Sequence, residues 1–364
     1  MRVLFDATIY ERQPAGIGHY VDHLLRHYVS CFPEDSVRTL TRDGVTWPGA
    51  ESIPILAADG GSLARLRVEQ TRLPSLARAL DYDVVHFPDY RCPLRTPPHS
   101  LVTIHDLAVF RFPETFTPNQ RRIKRWFTRQ SIRRAQRIIV PSRATRDDLV
   151  NLLGCDAAKI QVVPMGVDPP SQASYSDGAT PHPRPYFLFV GTLEPRKNLL
   201  RIVEAMDIVR RRAPDAPDLV VIGKKGWLYE DIFREVERRK LQDRVIFLGY
   251  VPGDDLGQWY RAAVGLCFPT RYEGFGFPVL EAMAAGCPVV TSDRGAVREV
   301  AEGAALLVDP DEPEAIAEAL LRLFHDGGLS GDLVQRGREC ARQYSWDRTA
   351  RETRAAYEQV LTGD

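Results

Sequence analysis

The stretch 264–286 constrains the fold of this 364-residue chain more than any other part of it. It opens with a short apolar run, Val264–Phe268, which is bounded by Pro269 and is typical of a strand buried in a parallel sheet. A glycine-rich loop follows, and Pro278 then suits the first turn of a helix. Strand, glycine loop and helix N-terminus in this order predict an open α/β sheet with an anion site at the strand end, because unpaired amides and the helix dipole point there.

Two carboxylates, Glu273 and Glu281, flank this predicted anion site. Carboxylates repel phosphate, but they accept hydrogen bonds from the hydroxyl groups of sugars. A site that offers amides to a diphosphate and carboxylates to hydroxyls is suited to a nucleotide sugar. The alternative is that Glu281 only complements the helix dipole and that Glu273 is solvated.

The sequence TRYEGFGFPVLE, with seven residues between Glu273 and Glu281, resembles the E-x7-E signature of the family 4 retaining glycosyltransferases. The likeness continues through EAMAAGCPVVTSDRGAVREVAEGAALLVDP. It implies the GT-B fold, in which two Rossmann-like α/β domains face each other across a deep cleft. It also implies that Glu273 contacts the donor sugar, that Glu281 binds the ribose hydroxyls, and that Gly274, Phe275 and Gly276 line the donor.

A second motif, GTLEPRKN, follows the predicted strand Tyr186–Val190. Arginine offers a planar fork to phosphate and lysine a mobile point charge, so the motif reads as a diphosphate grip. It resembles the second-domain phosphate motif of the same family, most closely that of its mannosyltransferase-like members, which implies that Lys197 and Arg196 bind the donor. The sequence departs from the family at Thr192, where many members have arginine, and Arg196 is the candidate replacement.

A further strand, predicted at Val245–Leu248, leads into Tyr250 and Val251. In the family this segment reads the nucleotide base through backbone groups and nearby side chains. The resemblance therefore implies that Tyr250 and Val251 line the base.

In the first domain, the predicted strand Val3–Phe5 is followed by a turn that contains Gly16 and Gly18. The turn lacks the third glycine of a dinucleotide fingerprint, which disfavours an oxidoreductase. The resemblance implies instead that both glycines lie near the donor, where they let the backbone approach it closely. His105 follows the predicted strand Leu101–Ile104, and VTIHDL resembles the family segment whose histidine reaches the donor sugar or its phosphate. The alternative is a core histidine that hydrogen-bonds a backbone carbonyl.

No metal and no cofactor other than the nucleotide sugar are expected. His19, His23 and His27 recur at helical spacing, but a metal site needs a further ligand and an orienting second partner, which the sequence does not indicate. We assign no D-x-D pair as a metal site at a strand end. We therefore expect protein cations to neutralise the leaving diphosphate, as a divalent ion does in other enzymes.

The chain carries 48 basic and 48 acidic side chains, so no overall field attracts nucleic acid, and no nucleic-acid partner is expected. No apolar run reaches the roughly 20 residues that span a bilayer. The N-terminus MRVLFDATIY reads as a first strand rather than a signal peptide, and six scattered cysteines form no C-x-x-C pair. These features predict a cytoplasmic protein.

One stretch, 120–137, is strongly basic, with eight Lys or Arg and no acid. It predicts a helix that carries apolar residues at near-helical intervals, among them Ile123 and Trp126. Such a helix either packs its apolar side on the sheet and solvates its charges, or docks on anionic lipid as a peripheral membrane contact at the inner membrane face. Both alternatives stay open.

The predicted organisation is an acceptor-side domain at 1–167, a linker at 168–185 rich in proline, serine and glycine, and a donor-binding domain at 186–345. The resemblance implies that the final helix, 346–364, packs back on the first domain. The predicted function is transfer of a sugar from a nucleoside diphosphate donor, GDP-mannose first, to a hydroxyl of a saccharide or lipid-linked acceptor. The alternatives are a nucleotide-sugar-binding protein without transferase activity and a nucleotide-sugar epimerase of the same architecture.

Overall fold

The computed structural model describes residues 1–11, 16–168 and 181–363, with the backbone but not the side chain of Asp254. The chain divides into two compact units. Unit 1 comprises residues 1–111, 117–166 and 345–364, and unit 2 comprises residues 112–116 and 167–344. Most of the predicted linker, residues 169–180, lies outside the described residues.

Unit 1 contains a parallel sheet of seven strands in the order β3-β2-β1-β4-β5-β6-β7. The strands are β1 Arg2–Asp6, β2 Ser36–Arg42, β3 Glu51–Leu56, β4 Val84–Phe87, β5 Ser100–Thr103, β6 Arg137–Val140 and β7 Ile160–Val162. The central strands β4 and β5 are buried along their whole length. This is why neither sequence alternates between apolar and polar residues.

The helices that surround this sheet are α1 Ile17–Cys31, α2 Ser62–Ala79, α3 Ala108–Arg111, α4 Pro118–Arg134 and α5 Arg143–Leu153. The basic helix α4 begins at a capping box in which the Thr117 side chain and the Gln120 side chain each bond the other residue's backbone. It ends at Arg134 rather than at residue 137, because Arg137 already belongs to β6.

The apolar residues of α4 do not all face the sheet. Phe127 and Ile132 are buried, whereas Ile123 is 48% and Trp126 45% exposed. The alternative in which the apolar residues of this helix pack on the sheet therefore does not hold for Ile123 and Trp126. Both of these residues lie beside exposed arginines.

Unit 2 contains a parallel sheet of six strands in the order β10-β9-β8-β11-β12-β13. The strands are β8 Tyr186–Val190, β9 Asp218–Ile222, β10 Val245–Gly249, β11 Gly265–Phe268, β12 Val289–Ser292 and β13 Leu306–Val308. Its helices are α6 Leu199–Arg212, α7 Glu230–Arg238, α8 Gly253–Ala262, α9 Phe277–Ala285, α10 Gly295–Ala301, α11 Pro313–His325 and α12 Gly327–Ala341. Each unit is thus a Rossmann-like α/β domain, as predicted.

Residues 112–116 lie in the sequence between two helices of unit 1 but belong to unit 2. Phe112 packs its ring 5.7 Å from that of Tyr272, and Phe116 lies 5.8 Å from the indole of Trp227. Trp227 also donates a hydrogen bond to the carbonyl oxygen of Thr115. These aromatic contacts explain why residues 112–116 belong to unit 2. The predicted domain boundaries place them in the first domain, at 1–167.

The last helix of the chain, α13 Trp346–Thr362, belongs to unit 1. Nδ1 of His86 on β4 lies 2.7 Å from the hydroxyl of Tyr357, and both side chains are buried. Where the chain returns to this unit, a Cβ atom on Gly166 would overlap the backbone of Ser345 and Trp346, so the close approach requires glycine. Aromatic and hydrogen-bonding contacts therefore hold α13 in the core of unit 1.

Candidate functional site

The candidate site of unit 2 lies where the strand order of the sheet reverses. From β8 the chain proceeds outwards through β9 and β10, and it then returns to place β11 on the other side of β8. Ligands of open α/β sheets bind at such a switch point, outside the carboxyl ends of the two strands. Here those ends lead into the loops 191–198 and 269–276, which carry both motifs found in the sequence.

The two loops are joined by ion pairs. Lys197 Nζ lies 2.5 Å from one carboxylate oxygen of Glu273, and Arg196 Nη1 lies 3.2 Å from the other. Arg196 also donates to the carbonyl oxygen of Tyr272 at 3.1 Å, and its Nε lies 2.7 Å from a carboxylate oxygen of Glu194. Two cations thus face two carboxylates, all in largely buried positions, and their formal charges cancel.

Lys197 is held in place by its local structure. It closes a short 3-10 turn, Pro195–Lys197, and its ammonium lies 5.2 Å from the centre of the Phe268 ring. The next residue, Asn198, has a φ of 66°, and its side-chain amide donates to the carbonyl oxygens of Pro269 and Pro310 at 2.9 and 2.6 Å. Asn198 therefore ties the first loop to the second. Sequence analysis quoted Asn198 within its motif but assigned it no role.

The glycine loop positions helix α9. Gly276 caps this helix with a φ of 112°, and a Cβ atom there would lie 2.8 Å from the side chain of Val297, so both backbone conformation and space favour glycine. Gly274 is buried. Phe275 is also buried, with its ring 5.6 Å from that of Phe277 and 5.8 Å from that of Tyr344. The Phe275 side chain therefore supports the loop by packing.

Glu281 lies on α9, and one of its carboxylate oxygens accepts a hydrogen bond of 2.7 Å from the Tyr260 hydroxyl. Tyr260 is buried on α8, and burial together with the nearby Glu281 carboxylate raises the pKa of its hydroxyl well above its usual range. The hydroxyl therefore stays protonated and orients the carboxylate. Tyr260 was missed by sequence analysis because no local pattern relates it to Glu281.

Tyr250 and Val251 follow strand β10, at the same edge of the sheet. Tyr250 is 41% exposed, and Lys224 Nζ lies 4.5 Å from the centre of its ring. Lys224 comes from the loop after β9, so the exposed ring and the ammonium belong to neighbouring strand ends. That these residues line a base stays a prediction.

The predicted site residues of the first domain lie in unit 1. His105 follows β5, and its Nε2 donates a hydrogen bond of 2.8 Å to the carbonyl oxygen of Pro88. Its ring meets that of Tyr20 edge-on at 4.8 Å, on the helix that begins after Gly16. Burial lowers the pKa of His105, so the imidazole is neutral near pH 7. This leaves Nδ1 as the nitrogen that can accept a hydrogen bond.

Gly16 and Gly18 begin helix α1. Gly16 has a φ of 51° and its carbonyl oxygen accepts the amide of Tyr20 at 3.2 Å, while Gly18 is buried within the first turn. Pro14 and Ala15 of the predicted turn lie outside the described residues. Tyr20 therefore contacts both predicted site residues, because its amide bonds Gly16 and its ring meets that of His105.

The three histidines of α1 have contacts within unit 1. The rings of His19 and His23 stack 6.1 Å apart, and that of His23 stacks on the indole of Trp346 at 5.0 Å. His27 Nδ1 lies 2.7 Å from a carboxylate oxygen of Asp347. These contacts with α13 give His23 and His27 a structural role.

Both parts of the chain match models of known protein families. A family model described as "Glycosyl transferases group 1" matches residues 173–340, and one described as "Glycosyltransferase Family 4" matches residues 15–170. O-antigen chain mannosyltransferase B of Escherichia coli is 30% identical over 284 residues, which are 76% of this chain and 74% of that protein.

Two solved structures share the fold over nearly the whole chain. Sucrose-phosphate synthase from Thermosynechococcus elongatus has a TM-score of 0.81 and 21% identity, and the match covers 100% of both chains. Anabaena Alr3699/HepE in complex with UDP and glucose has a TM-score of 0.72 and 17% identity, covering 99% of this chain and 100% of that one. Together with the family models and the mannosyltransferase relative, these matches show that the chain belongs to the family 4 glycosyltransferases and has the GT-B fold.

Proposed function

We propose that this glycosyltransferase moves a hexose, mannose first, from a nucleoside diphosphate donor to a hydroxyl group of a saccharide acceptor, with retention of the anomeric configuration and without a metal ion. The observation that carries the proposal is the cluster of Lys197, Arg196 and Glu273 at the switch point of the unit 2 sheet. It combines cations for a leaving diphosphate with a carboxylate for sugar hydroxyls.

In the proposed reaction, the bond between the anomeric carbon and the diphosphate oxygen breaks, and the electron pair leaves with the diphosphate. Lys197 and Arg196, together with the amides at the start of α9, stabilise that developing charge. The acceptor hydroxyl attacks from the face that the diphosphate leaves, and its proton passes to the departing phosphate oxygen. During this transfer Glu273 holds the donor sugar, and Glu281, oriented by Tyr260, holds the ribose hydroxyls.

Mannose is proposed as the sugar because the Escherichia coli relative is named a mannosyltransferase, and the likeness of GTLEPRKN favours GDP-mannose as the donor. The structural neighbour bound to UDP and glucose makes UDP-sugars the second choice. A lipid-linked saccharide is the proposed acceptor.

The donor is tested by thermal stability in the presence of GDP, UDP, dTDP and their sugars, since a ligand that binds only the native state raises the melting temperature. We expect the largest shift with GDP and GDP-mannose, and no shift in Lys197→Ala or Glu281→Ala. A shift with UDP or dTDP alone would replace the mannose proposal. No shift with any nucleotide would contradict the nucleotide-sugar donor.

Retention is tested on the product. Transfer from an α-linked donor sugar to an acceptor should yield an α-linkage, which the one-bond coupling constant between the anomeric carbon and its proton reports in a nuclear magnetic resonance spectrum. A β-linkage in the first product formed would overturn the retaining mechanism.

We further propose that α4 docks on an anionic bilayer, which would bring the enzyme to a lipid-linked acceptor. Arg121, Arg122 and Arg133 are exposed on this helix, and Ile123 and Trp126 expose apolar surface among them. Basic residues attract anionic headgroups, and a tryptophan ring favours the interface. Among the described residues, no helix combines the length and the apolar character needed to cross a bilayer.

The membrane proposal is tested by sedimentation with vesicles of phosphatidylglycerol or phosphatidylcholine. We expect binding to the anionic vesicles only, weakened about tenfold or more by the pair Ile123→Asn and Trp126→Gln and by added salt. Leu63→Ala is the matched control, because Leu63 is 84% exposed but lies outside α4. Equal binding to both kinds of vesicle, or none to either, would refute the proposal.

A further inference from the structure

The loop after β9 carries two adjacent exposed lysines, Lys224 and Lys225, to which sequence analysis assigned no role. Within the described part of the chain, neither ammonium has a carboxylate at ion-pair distance, and both lie over aromatic rings instead. Lys224 lies over Tyr250, whereas Lys225 lies 5.4 and 5.1 Å from the rings of Tyr229 and Phe233.

The backbone of this loop packs directly on the loop that leads to Lys197. The amide of Leu193 donates to the carbonyl oxygen of Lys224 at 2.9 Å, and the amide of Gly226 donates to that of Leu193 at 3.1 Å. Gly223 has a φ of 154°, and a Cβ atom on it would overlap the carbonyl of Gly191. The contact is therefore closer than any side chain would allow.

Lys197 lies against the same contact from the other side. A Cβ atom on Gly191 would be 3.8 Å from Cδ of Lys197, so the stem of this lysine passes over Gly191. Gly191 in turn touches Gly223, the residue before Lys224. Lys197 and Lys224 thus start from adjacent strand ends, on loops that are fixed to each other.

A further cation would complement the donor diphosphate at this site. Lys197 and Arg196 are paired with Glu273 and Glu194, so this cluster has no net formal charge. The diphosphate of a nucleotide sugar carries negative charge on both phosphates and gains more when it leaves. Lys224 is a cation on the adjoining loop, and among the described side chains no carboxylate pairs with it.

We propose that Lys224 is a ligand of the donor diphosphate, and that its ammonium leaves the Tyr250 ring to donate hydrogen bonds to phosphate oxygens. This inference rests on the proposed nucleoside diphosphate donor. A charge-assisted hydrogen bond to phosphate is stronger than an exposed contact between an ammonium and a ring, so the bound anion wins the competition for the lysine. The Tyr250 ring thus competes with the donor for this ammonium.

The test is isothermal titration of the full chain with inorganic pyrophosphate, GDP and UDP, comparing Lys224→Met with Lys225→Met. Methionine keeps most of the apolar stem and removes the charge. We expect Lys224→Met to weaken both pyrophosphate and the preferred nucleotide about tenfold, and Lys225→Met to change them less than about twofold. Tyr250→Leu should bind pyrophosphate as tightly as the native protein or more tightly, because it frees Lys224.

Three results would overturn the proposal. Equal losses in both lysine variants would show a general effect of charge. A loss confined to nucleotides, with pyrophosphate binding unchanged, would place Lys224 on the base. Unchanged binding of all ligands by Lys224→Met would remove it from the site. If the native protein binds no nucleoside diphosphate at all, the proposed donor itself fails, which is a separate and recognisable outcome.

Discussion

The candidate residues of unit 1 and unit 2 follow the ends of parallel strands, but they are stabilised in opposite ways. In unit 2, Lys197, Arg196 and Glu273 form a set of ion pairs that joins two loops. In unit 1, His105 is a neutral imidazole that donates to a backbone carbonyl and meets the edge of the Tyr20 ring. The first arrangement depends on charge, and the second on burial and hydrogen bonding.

This difference matches the two tasks in the proposed reaction. The departing diphosphate needs positive charge that is already in place, because reorganising water around it would raise the barrier. The transferring sugar is neutral in the ground state, and a histidine near it is most useful as a hydrogen-bonding group of fixed orientation. The comparison therefore predicts that unit 2 variants respond to loss of charge and unit 1 variants to loss of hydrogen bonding.

Lys197→Ala should have the largest effect. It removes the cation nearest Glu273 and leaves that carboxylate facing the leaving diphosphate, so we expect kcat/KM to fall by about 10³-fold. Lys225→Ala is the matched control and should leave kcat/KM within about twofold. Initial rates of transfer at saturating acceptor provide the measurement. A loss of less than about tenfold would contradict the role of Lys197.

His105→Ala should reduce kcat/KM by about 10²-fold, because it removes the hydrogen-bonding nitrogen from unit 1. Since burial lowers the pKa of His105, its imidazole is neutral above pH 6.5 and is protonated only at lower pH. The native pH profile should therefore be flat from pH 6.5 upwards and should lose activity only below that value. A loss of activity centred above pH 6.5 and abolished in the variant would reverse the assignment.

Unit 1 should also lose stability in acid more than unit 2. Burial lowers the pKa of His86 to about 3, whereas the unfolded chain takes up the proton near pH 6.5. The native state binds fewer protons, so the stabilisation is present above pH 6.5 and is lost progressively towards pH 3, with about 2 kcal/mol lost by pH 5. Hydrogen exchange of β4 and α13 measures this loss, and β8 serves as the reference strand.

A steeper loss in β8 than in β4 would contradict this prediction. His86→Gln provides the second check, because it should flatten the pH dependence of β4 even though it lowers stability at pH 7.

Treatment with EDTA should have no effect on transfer. If Lys197, Arg196 and Lys224 donate hydrogen bonds to the diphosphate, a divalent ion is not needed to hold it. Rates before and after chelation, and after adding Mg²⁺ or Mn²⁺, should agree within error. Loss of activity that Mn²⁺ restores would refute metal-independent transfer.

Much of the fold could be predicted because its signals are local. Short apolar runs such as Tyr186–Val190 coincide with β8, since strands covered on both faces are apolar over most of their length. The loop and helix of the E-x7-E segment could be predicted for the same reason, because glycine and proline mark their own positions. The motif around Lys197 lies in one loop and the motif around Glu273 in another, so each could be recognised from its own stretch of sequence.

The pairings between loops could not be predicted. Lys197 and Glu273 are 76 residues apart in the sequence, and nothing in either loop indicates that one neutralises the other. Arg196, the candidate for the missing arginine at Thr192, is held by Glu194 and Glu273, which sequence alone does not reveal. The exposure of Trp126 could not be decided from the sequence, because a helical pattern does not say how much of a helix its neighbours cover.

The packing of α13 has a consequence for how the protein is made. His86 has the Tyr357 hydroxyl as a partner, and the backbone of Trp346 packs against Gly166, yet Trp346 and Tyr357 are synthesised after the whole of unit 2. During translation, unit 2 can therefore complete its core first. Until α13 has been synthesised, the sheet of unit 1 exposes the face that α13 covers in the folded protein. Premature termination within α13, which has seventeen residues, would leave unit 1 incompletely folded, whereas unit 2 would be complete. Unit 1 would then be the part that chaperones and proteases recognise.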